Sequence, residues 1–322
     1  MTQPLVDKQM LLQARERVSK HAYHTPLLTS RLLSERTGFD VRLKAESFQR
    51  TGSYKIRGPL NKFAGLSDEQ RSRGVICSSA GNHSQGVALA AKIEGLRAVV
   101  VMAENATPSK IEATRSYGAE VVLHGQIWDE ANAKALELVE AEGLTYVHPF
   151  DDLELIAGQG TLGMEILDDF PEVDVIIVPI GGGGLISGVA SAVNAFKPSV
   201  RVIGVESSDG AAMATSISKG ELVKLDQVDT IIDGLRVQQV GRNNFAIVKE
   251  LVDQIVTLPD TDIFQAMLWV MAHTKIVVEG AAAAPVAALL GELVDIEPGS
   301  RVACVLSGGN LDMRQLEGLR WN

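Results

Sequence analysis

Residues Val175–Leu185 read VIIVPIGGGGL and combine a strand, a turn and the start of a helix. The segment Val175–Val178 is continuously apolar and β-branched, which is typical of a strand buried on both faces of a parallel sheet. Four glycines in a row leave backbone N–H groups accessible, and the helix that begins near Leu185 adds the positive end of its dipole. This arrangement predicts an anion site at the edge of a sheet, with a monophosphate as the best ligand.

The same alternation of strands and helices continues along the chain. Short apolar runs predict further strands at Val41–Leu43, Val75–Cys77, Ala98–Met102, Glu120–His124, Val202–Val205, Ile255–Leu258 and Val302–Leu306. Helical patterns predict helices at Val87–Glu94, Pro108–Tyr117, Asp129–Glu142, Leu185–Phe196, Asn243–Leu251 and Ile263–His273. Strands that alternate with helices predict an α/β fold with doubly wound open sheets.

Composition and charge narrow the classes of function. The 322 residues are 46% hydrophobic and 22% charged, as in ordinary globular proteins, and suffice for one large or two ordinary domains. A net charge of -10 without a basic cluster disfavours nucleic-acid binding. The chain shows neither a signal-peptide pattern nor an uninterrupted apolar run that would span a membrane. Cys77 and Cys304 lie in predicted buried strands, where thiols are core residues, so we expect a cytoplasmic protein.

A lysine stands in a second informative segment, Ser47–Gly58, which reads SFQRTGSYKIRG. Lys55 follows a Thr-Gly-Ser turn and precedes a predicted helix. A lysine that holds a carbonyl compound covalently must have its amine aimed and its charge suppressed. A lysine at a helix start is more often solvated than catalytic, so this hypothesis depends on the other loops.

Two further turns follow predicted strands. Ser78–Gly86 reads SSAGNHSQG and leads into a predicted helix, whose N-terminus suits a carboxylate. A Ser/Asn helix cap with a turn explains that pattern equally well. Ser307–Asn310, SGGN, taken alone favours an ordinary turn at the end of a strand. Three such turns therefore lie at the carboxyl ends of strands, where open α/β sheets bind their ligands.

Together these segments resemble the motifs of fold-type II pyridoxal-phosphate enzymes, specifically the serine/threonine dehydratase (threonine ammonia-lyase) branch in a short form without a regulatory domain. The resemblance extends from His24 to Asn310. It implies a tryptophan synthase β-like fold of two doubly wound open-sheet domains. The large cofactor domain would comprise residues 1–73 plus 145–322, and a small inserted α/β domain would comprise residues 74–144. A homodimer or homotetramer is expected, with no nucleic-acid or membrane partner.

The resemblance also implies roles for individual residues. Lys55 would hold pyridoxal 5'-phosphate and act as the base at the substrate Cα. The other expected cofactor contacts are Tyr54, Asn82 at the ring hydroxyl, Gly181, Gly182, Gly183, Gly184 and Leu185 at the phosphate, Gly234, Glu279, and Ser307 at the pyridine nitrogen. The expected substrate contacts are Ser79, Ala80, Gly81, Asn82 and His83. No metal ligand is expected, although Glu206 is compatible with a monovalent cation site and equally with a plain exposed glutamate.

The implied reaction is β-elimination, which converts L-threonine, L-serine or both to a 2-oxo acid and ammonia. Ala80 stands where the serine racemase branch has a serine that protonates the opposite face of Cα, and Phe150 matches dehydratases, so a dehydratase is favoured. A serine racemase or a hydroxyaspartate dehydratase of the same fold remains an alternative. A nicotinamide dehydrogenase would rest on the glycine loop alone, whose spacing departs from G-x-G-x-x-G. A non-catalytic ligand-binding relative would not need Lys55.

Overall fold

The computed structural model describes residues 5–316, which form two β-sheets with helices packed on their faces. The strands are β1 (Leu27–Thr29), β2 (Asp40–Ala45), β3 (Val75–Ser78), β4 (Ala98–Met102), β5 (Glu120–Leu123), β6 (Thr145–Tyr146), β7 (Val175–Pro179), β8 (Arg201–Ser207), β9 (Gln254–Leu258) and β10 (Arg301–Leu306). The larger sheet has the order β1-β2-β10-β7-β8-β9 and the smaller one β5-β4-β3-β6. All neighbours are parallel except β1 and β2.

The helices connect consecutive strands in both sheets. They are α1 (Lys8–Val18), α2 (Arg31–Thr37), α3 (Arg57–Ala64), α4 (Asp68–Arg73), α5 (Asn82–Glu94), α6 (Pro108–Ser116), α7 (Trp128–Glu142), α8 (Leu153–Asp169), α9 (Gly184–Phe196), α10 (Ala212–Lys219), α11 (Arg242–Leu251), α12 (Asp260–Thr274) and α13 (Gly280–Leu290). The predicted α/β fold with doubly wound sheets is confirmed. In the described residues no helix has the length and apolar character needed to cross a membrane.

The large sheet is buried on both faces, as its continuous apolar strands predict. In β7, Val175 and Ile177 belong to the core shared with α12 and α13, whereas Ile176 and Val178 belong to the core shared with α8 and α9. Cys304 on β10 lies in the first of these cores as a free, buried thiol. Alternate side chains of one strand therefore face opposite helix layers.

The predicted strands are all present with small differences at their ends, and two short strands escaped prediction. Both β1 and β6 are too short to show a period in the sequence. The expectation that the turn after β3 extends through Gly86 is wrong, because α5 already begins at Asn82. The first helical turn accommodates its polar residues, and Ser84 Oγ donates to Gly81 O at 2.6 Å.

The small sheet and the region around it bear on the predicted domain division. Strand β6 pairs with β3 just beyond residue 144, which favours a boundary after Tyr146. Ile56 belongs to the short turn Tyr54–Ile56, which we call the lysine turn. It packs in one core with Leu60 and Phe63 of α3 and with Val75 of the small sheet. The lysine turn thus lies where the two sheets meet. The division into domains of 1–73 plus 145–322 and 74–144 stays a prediction.

Candidate active site

Lys55 lies in a short 3₁₀ turn, Tyr54–Ile56, directly before α3. Its Nζ donates to Pro149 O at 2.9 Å and lies 5.2 Å from the centre of the Tyr54 ring. Burial lowers the pKa of Lys55 from 10.5 to about 8, against a smaller opposing effect of the Glu279 carboxylate. Burial also raises the pKa of the Tyr54 hydroxyl. About a tenth of Lys55 is therefore neutral at pH 7, and the neutral amine is the form that attacks carbonyl compounds.

Hydrogen bonds join the lysine turn to the loop that follows β10. Tyr54 N–H donates to Ser307 O at 3.1 Å, and Asn310 Nδ2 donates to Thr51 O at 2.8 Å. Ser307 is 3% exposed, so its hydroxyl lies in the protein interior beside the lysine turn. The structure thereby brings together two segments that lie near opposite ends of the sequence.

Asn82, the first residue of α5, connects the small sheet to this region. Its Nδ2 donates to Glu279 Oε1 at 2.7 Å, and its Oδ1 accepts from Asn310 Nδ2 at 2.7 Å. Burial raises the pKa of Glu279 to about 7, while the hydrogen bond from Asn82 acts in the opposite direction. Asn310, Asn82 and Glu279 therefore form a polar chain, and the protonation of its carboxyl end changes near neutral pH.

Helix α5 packs directly on the lysine turn, which places the Ser79–Gly81 turn nearby. A Cβ on Gly86 would lie 2.5 Å from Lys55 O, so only glycine fits there. His83 is buried in the first turn of α5, and its Nε2 bonds Val147 O at 3.0 Å. Burial, reinforced by the positive charge of Lys55, lowers the pKa of His83 to about 3. A neutral, anchored imidazole fits packing or hydrogen bonding better than a general base.

The glycine loop Gly181–Gly184 joins β7 to α9 and presents free donors. Gly183, the N-cap of α9, has a φ of 96°, a conformation that disfavours residues with a side chain. In the part of the chain that the structure describes, the N–H groups of Gly182 to Leu185 donate to no protein acceptor. Unpaired N–H groups at a helix N-terminus are well suited to a phosphate.

Two neighbouring segments shape this loop. A Cβ on Gly181 would lie 2.4 Å from Gly234 O, and a Cβ on Gly182 would lie 2.2 Å from a ring carbon of Phe150. Phe150 directly follows Pro149, whose carbonyl accepts the hydrogen bond from Lys55. The anion site and the lysine amine are therefore linked through one short segment.

Glu206 is 1% exposed, so the interpretation as a plain exposed glutamate is wrong. Its carboxylate accepts from the N–H groups of Met213 at 2.9 Å and Ala214 at 2.7 Å in the first turn of α10. Burial raises the pKa of Glu206 to about 7, and the two hydrogen bonds oppose that effect. Helix capping accounts for its burial. The monovalent cation stays a prediction; residues 5–316 contain no cluster of three or more His, Cys, Asp or Glu suited to a metal.

A charged cluster beneath the lysine turn was missed in the sequence. Arg57 is fully buried, and two of its nitrogens bond the Glu46 carboxylate at 2.8 and 2.9 Å. Two of its nitrogens also bond Glu165 at 2.6 and 2.9 Å, and Lys44 Nζ lies 2.7 Å from Glu165. The only local signal is that Arg57 stands two residues after Lys55. We call Lys44, Glu46, Arg57 and Glu165 the charged cluster.

The residues present fit pyridoxal phosphate. A partly neutral amine can hold its aldehyde, and the free N–H groups before α9 can hold its phosphate. The part-buried amide of Asn82 and the buried side chain of Ser307 lie in segments that contact the same lysine turn. The sequence matches the family described as "Pyridoxal-phosphate dependent enzyme" over residues 18–308, and the chain belongs to this family.

Comparisons with individual proteins refine this class. An L-threonine ammonia-lyase of Thermotoga maritima is 46% identical over 307 residues, which cover 95% of this chain and 76% of that protein. A catabolic L-threonine dehydratase of Escherichia coli is 43% identical over 307 residues, covering 95% and 93%. A processed threonine deaminase isoform 2 from Solanum lycopersicum superposes with a TM-score of 0.91 at 38% identity, covering 98% and 94%. Maize serine racemase gives 0.93 at 36% identity, covering 97% and 96%. The expected fold type II and the expected cofactor are confirmed.

Proposed function

We propose that this protein is a threonine/serine ammonia-lyase, a carbon–nitrogen lyase that acts on β-hydroxy amino acids. L-Threonine would give 2-oxobutanoate and ammonia, and L-serine would give pyruvate and ammonia; the water lost in elimination returns in hydrolysis. The observation that carries the proposal is the amine of Lys55, with a pKa lowered to about 8, which Pro149 and Phe150 link to a set of free N–H groups before α9. The names of the relatives with 43% and 46% identity support the substrate class.

Lys55 carries the central step. Pyridoxal phosphate, when bound, supplies the electron sink that stabilises negative charge at the substrate Cα. Lys55 would hold the cofactor and, once its amine is free, remove the Cα proton. The carbonyl of Pro149, which accepts from Nζ at 2.9 Å, orients this amine and stabilises the ammonium that proton removal produces. The same contact keeps the amine close to the glycine loop through the adjoining Phe150.

The remaining predicted contacts are proposed to position cofactor and substrate. The N–H groups of Gly181, Gly182, Gly183, Gly184 and Leu185 would bind the phosphate. Tyr54, Gly234 and Glu279 would border the ring, Asn82 would bind the ring hydroxyl, and Ser307 would contact the pyridine nitrogen. Ser79, Ala80, Gly81, Asn82 and His83 would bind the substrate carboxylate at the N-terminus of α5. The free N–H groups that a helix N-terminus offers support this last assignment.

A serine racemase is the second candidate, because the maize enzyme shares the fold with a TM-score of 0.93. Ala80 disfavours it, since alanine cannot donate a proton to the opposite face of Cα. The purified enzyme should be assayed with L-threonine, L-serine and 3-hydroxyaspartate for 2-oxo acid and for the D-amino acid. We expect 2-oxo acid to dominate with threonine or serine. Abundant D-serine with little pyruvate would overturn the proposal, and turnover of 3-hydroxyaspartate alone would favour that dehydratase.

The cellular form is proposed to be a cytoplasmic homodimer or homotetramer. Cys77 and Cys304 are both free and buried, which is consistent with a reducing compartment. Phe48 and Val277 are 50% and 54% exposed, and atoms of Val277 and of the residue before Phe48 would contact a Cβ on Gly309. The backbone of Val277 and the residue before Phe48 thus approach each other at Gly309, and the exposed apolar side chains of Phe48 and Val277 support a subunit interface in this region. Light scattering on the purified protein measures the assembly, and a monomer at micromolar concentration would contradict it.

A further inference from the structure

Asn244 lies in the first turn of α11 and contacts the glycine loop. It is fully buried, and its Nδ2 donates to Gly182 O and to Phe150 O, both at 3.1 Å. A Cβ on Gly183 would lie 2.8 Å from the Cβ of Asn244. One side-chain amide therefore fastens the loop to the segment that begins α8 and carries the acceptor of Lys55.

The hydrogen bond to Gly182 O has a consequence for the N–H group of Gly183. Both belong to the same planar trans peptide, in which C=O and N–H point in opposite directions. Gly182 O faces α11, where it also accepts from Gly241 N–H at 3.3 Å. The N–H of Gly183 must then point away from α11. Since it meets no protein acceptor within residues 5–316, it is directed at the open side of the loop.

The start of α11 is itself held in place. The carboxylate of Asp151 accepts from Arg242 N–H at 2.9 Å and from Asn243 N–H at 3.0 Å. These bonds fix the first turn of α11 to the residue that follows Phe150. The first turn of α11, which carries Asn244, is therefore held against the segment that Asn244 contacts.

An asparagine at this position has an energetic cost as well as two hydrogen bonds. Its Oδ1 is buried without a hydrogen-bond partner among the described residues. Burying an unpaired amide oxygen costs free energy, and a leucine of similar size would avoid that cost. The benefit of the amide must lie in the two carbonyl groups that it holds.

We propose that Asn244 is a positioning residue for phosphate binding. It holds the Gly182 carbonyl so that the N–H of Gly183 faces the cofactor phosphate. The inference rests on the proposed role of the glycine loop as the phosphate site. Asn244 does not touch the phosphate; it acts through the peptide between Gly182 and Gly183.

The test compares two ligands that differ only in the phosphate. Asn244→Leu and Asn244→Ala are freed of cofactor and titrated with pyridoxal phosphate and with pyridoxal, with absorbance as the readout. We expect the Kd for pyridoxal phosphate to rise about tenfold or more, and the Kd for pyridoxal to stay within about twofold. Asn244→Ala should behave alike, because alanine is uncharged and also cannot donate to the two carbonyls; it also decides the matter if Asn244→Leu does not fold.

Asn61→Leu is the matched control. Asn61 is also fully buried, and its Nδ2 donates to the backbone carbonyl of Glu154. Its hydrogen bonds involve no residue of the glycine loop. This variant should leave the ratio of the two dissociation constants unchanged. Equal weakening of both ligands in the Asn244 variants, or no weakening, overturns the proposal.

The wild-type protein separates this inference from the proposed function. Wild type must bind pyridoxal phosphate more tightly than pyridoxal if the glycine loop is a phosphate site. If it does not, the phosphate site itself is wrong and the role of Asn244 falls with it. If it does, and the Asn244 variants keep the wild-type ratio, only the inference about Asn244 is wrong.

Discussion

Lys44 is fully buried and Lys55 is partly buried in a neighbouring segment, and the two amines have different hydrogen-bond partners. Lys44 Nζ lies 2.7 Å from the Glu165 carboxylate and donates to Thr25 O at 2.7 Å. Lys55 Nζ donates instead to the neutral carbonyl of Pro149. Lys44 therefore belongs to a paired charged cluster, whereas Lys55 has a dipole as its hydrogen-bond partner.

The difference shows how one region serves the fold and the other the chemistry. The ion pair with Glu165 makes Lys44 part of a buried charged network that stabilises the fold. Desolvation without such a partner lowers the pKa of Lys55 to about 8, so its amine can react. The charged cluster adjoins the lysine turn, because Arg57 follows Lys55 by two residues and begins α3. The ion-paired charged cluster thus holds the segment next to Lys55, whereas the Lys55 amine hydrogen-bonds a neutral carbonyl and stays reactive.

The largest expected effect is the loss of turnover in Lys55→Met. Methionine keeps the apolar stem and removes the base, so the rate of 2-oxo acid formation should fall by about 1,000-fold or more. Borohydride should no longer fix the cofactor to the protein, as judged by mass spectrometry. Substantial residual turnover would remove Lys55 from its proposed role. Lys62→Met, which changes a lysine paired with Asp152, serves as the control and should keep the fixation.

Breaking the charged cluster should produce the largest loss of stability. Arg57→Leu leaves Glu46 without its cation and removes one of two cations from Glu165, which should cost about 3–5 kcal/mol of unfolding free energy. Urea denaturation measures it. Arg31→Leu is the matched control, because Arg31 pairs with Glu35 on the exposed surface of α2 and should contribute little. Similar losses in both variants would show that burial of the cluster does not matter.

Lys44→Met should lower the stability of the protein and leave its turnover unchanged, whereas Lys55→Met should abolish turnover. Thr25 O loses its donor while Glu165 keeps Arg57, so the expected cost is about 1–3 kcal/mol. Turnover per folded molecule should stay close to that of wild type. The two methionine variants, measured by urea denaturation and by 2-oxo acid assay, form a cross-comparison. A loss of turnover in Lys44→Met as large as that in Lys55→Met would abolish the distinction between the two lysines.

The fold could be predicted because its strands are continuously apolar and alternate with helices. Val175–Pro179 and Arg301–Leu306 each show this pattern without help from distant residues. Strand order depends on pairing between remote segments, such as β2 with β10, which no local pattern encodes. The antiparallel edge strand β1 has only three residues and shows no period. The start of α5 at Asn82 was missed because small polar residues suit both a turn and a first helical turn.

Local sequence pointed to the parts of the candidate site that carry unusual residues, namely Lys55 after its turn and the glycines before α9. The polar chain from Asn310 through Asn82 to Glu279 could not be seen, because its members come from three distant segments. Asn244 gave no signal at all, since one asparagine in a helix start is ordinary. The roles of the predicted contacts in binding cofactor and substrate stay predictions.

The smallest expected effect concerns pH and tests the lowered pKa of Lys55 directly. Only the neutral amine captures pyridoxal phosphate, so capture by cofactor-free protein should speed up about fivefold from pH 7 to 8 and level off above that range. Nα-acetyl-lysine in the same buffers is the control, because its rate should keep rising about tenfold per pH unit. A protein rate that follows the control up to pH 10 would mean that Lys55 has an ordinary pKa.

The lowered pKa of Lys55 should also make the unfolding free energy depend on pH, in a direction that follows from the two pKa values. Because the pKa of Lys55 is about 8 when folded and near 10.5 when unfolded, the folded state binds fewer protons between these values. The unfolding free energy contributed by Lys55 therefore increases as pH rises from about 8 to about 10.5. Lys55→Met should flatten this part of the urea-denaturation profile, and Lys44→Met should retain it. A profile that is equally steep in wild type and Lys55→Met would assign the pH dependence to another residue.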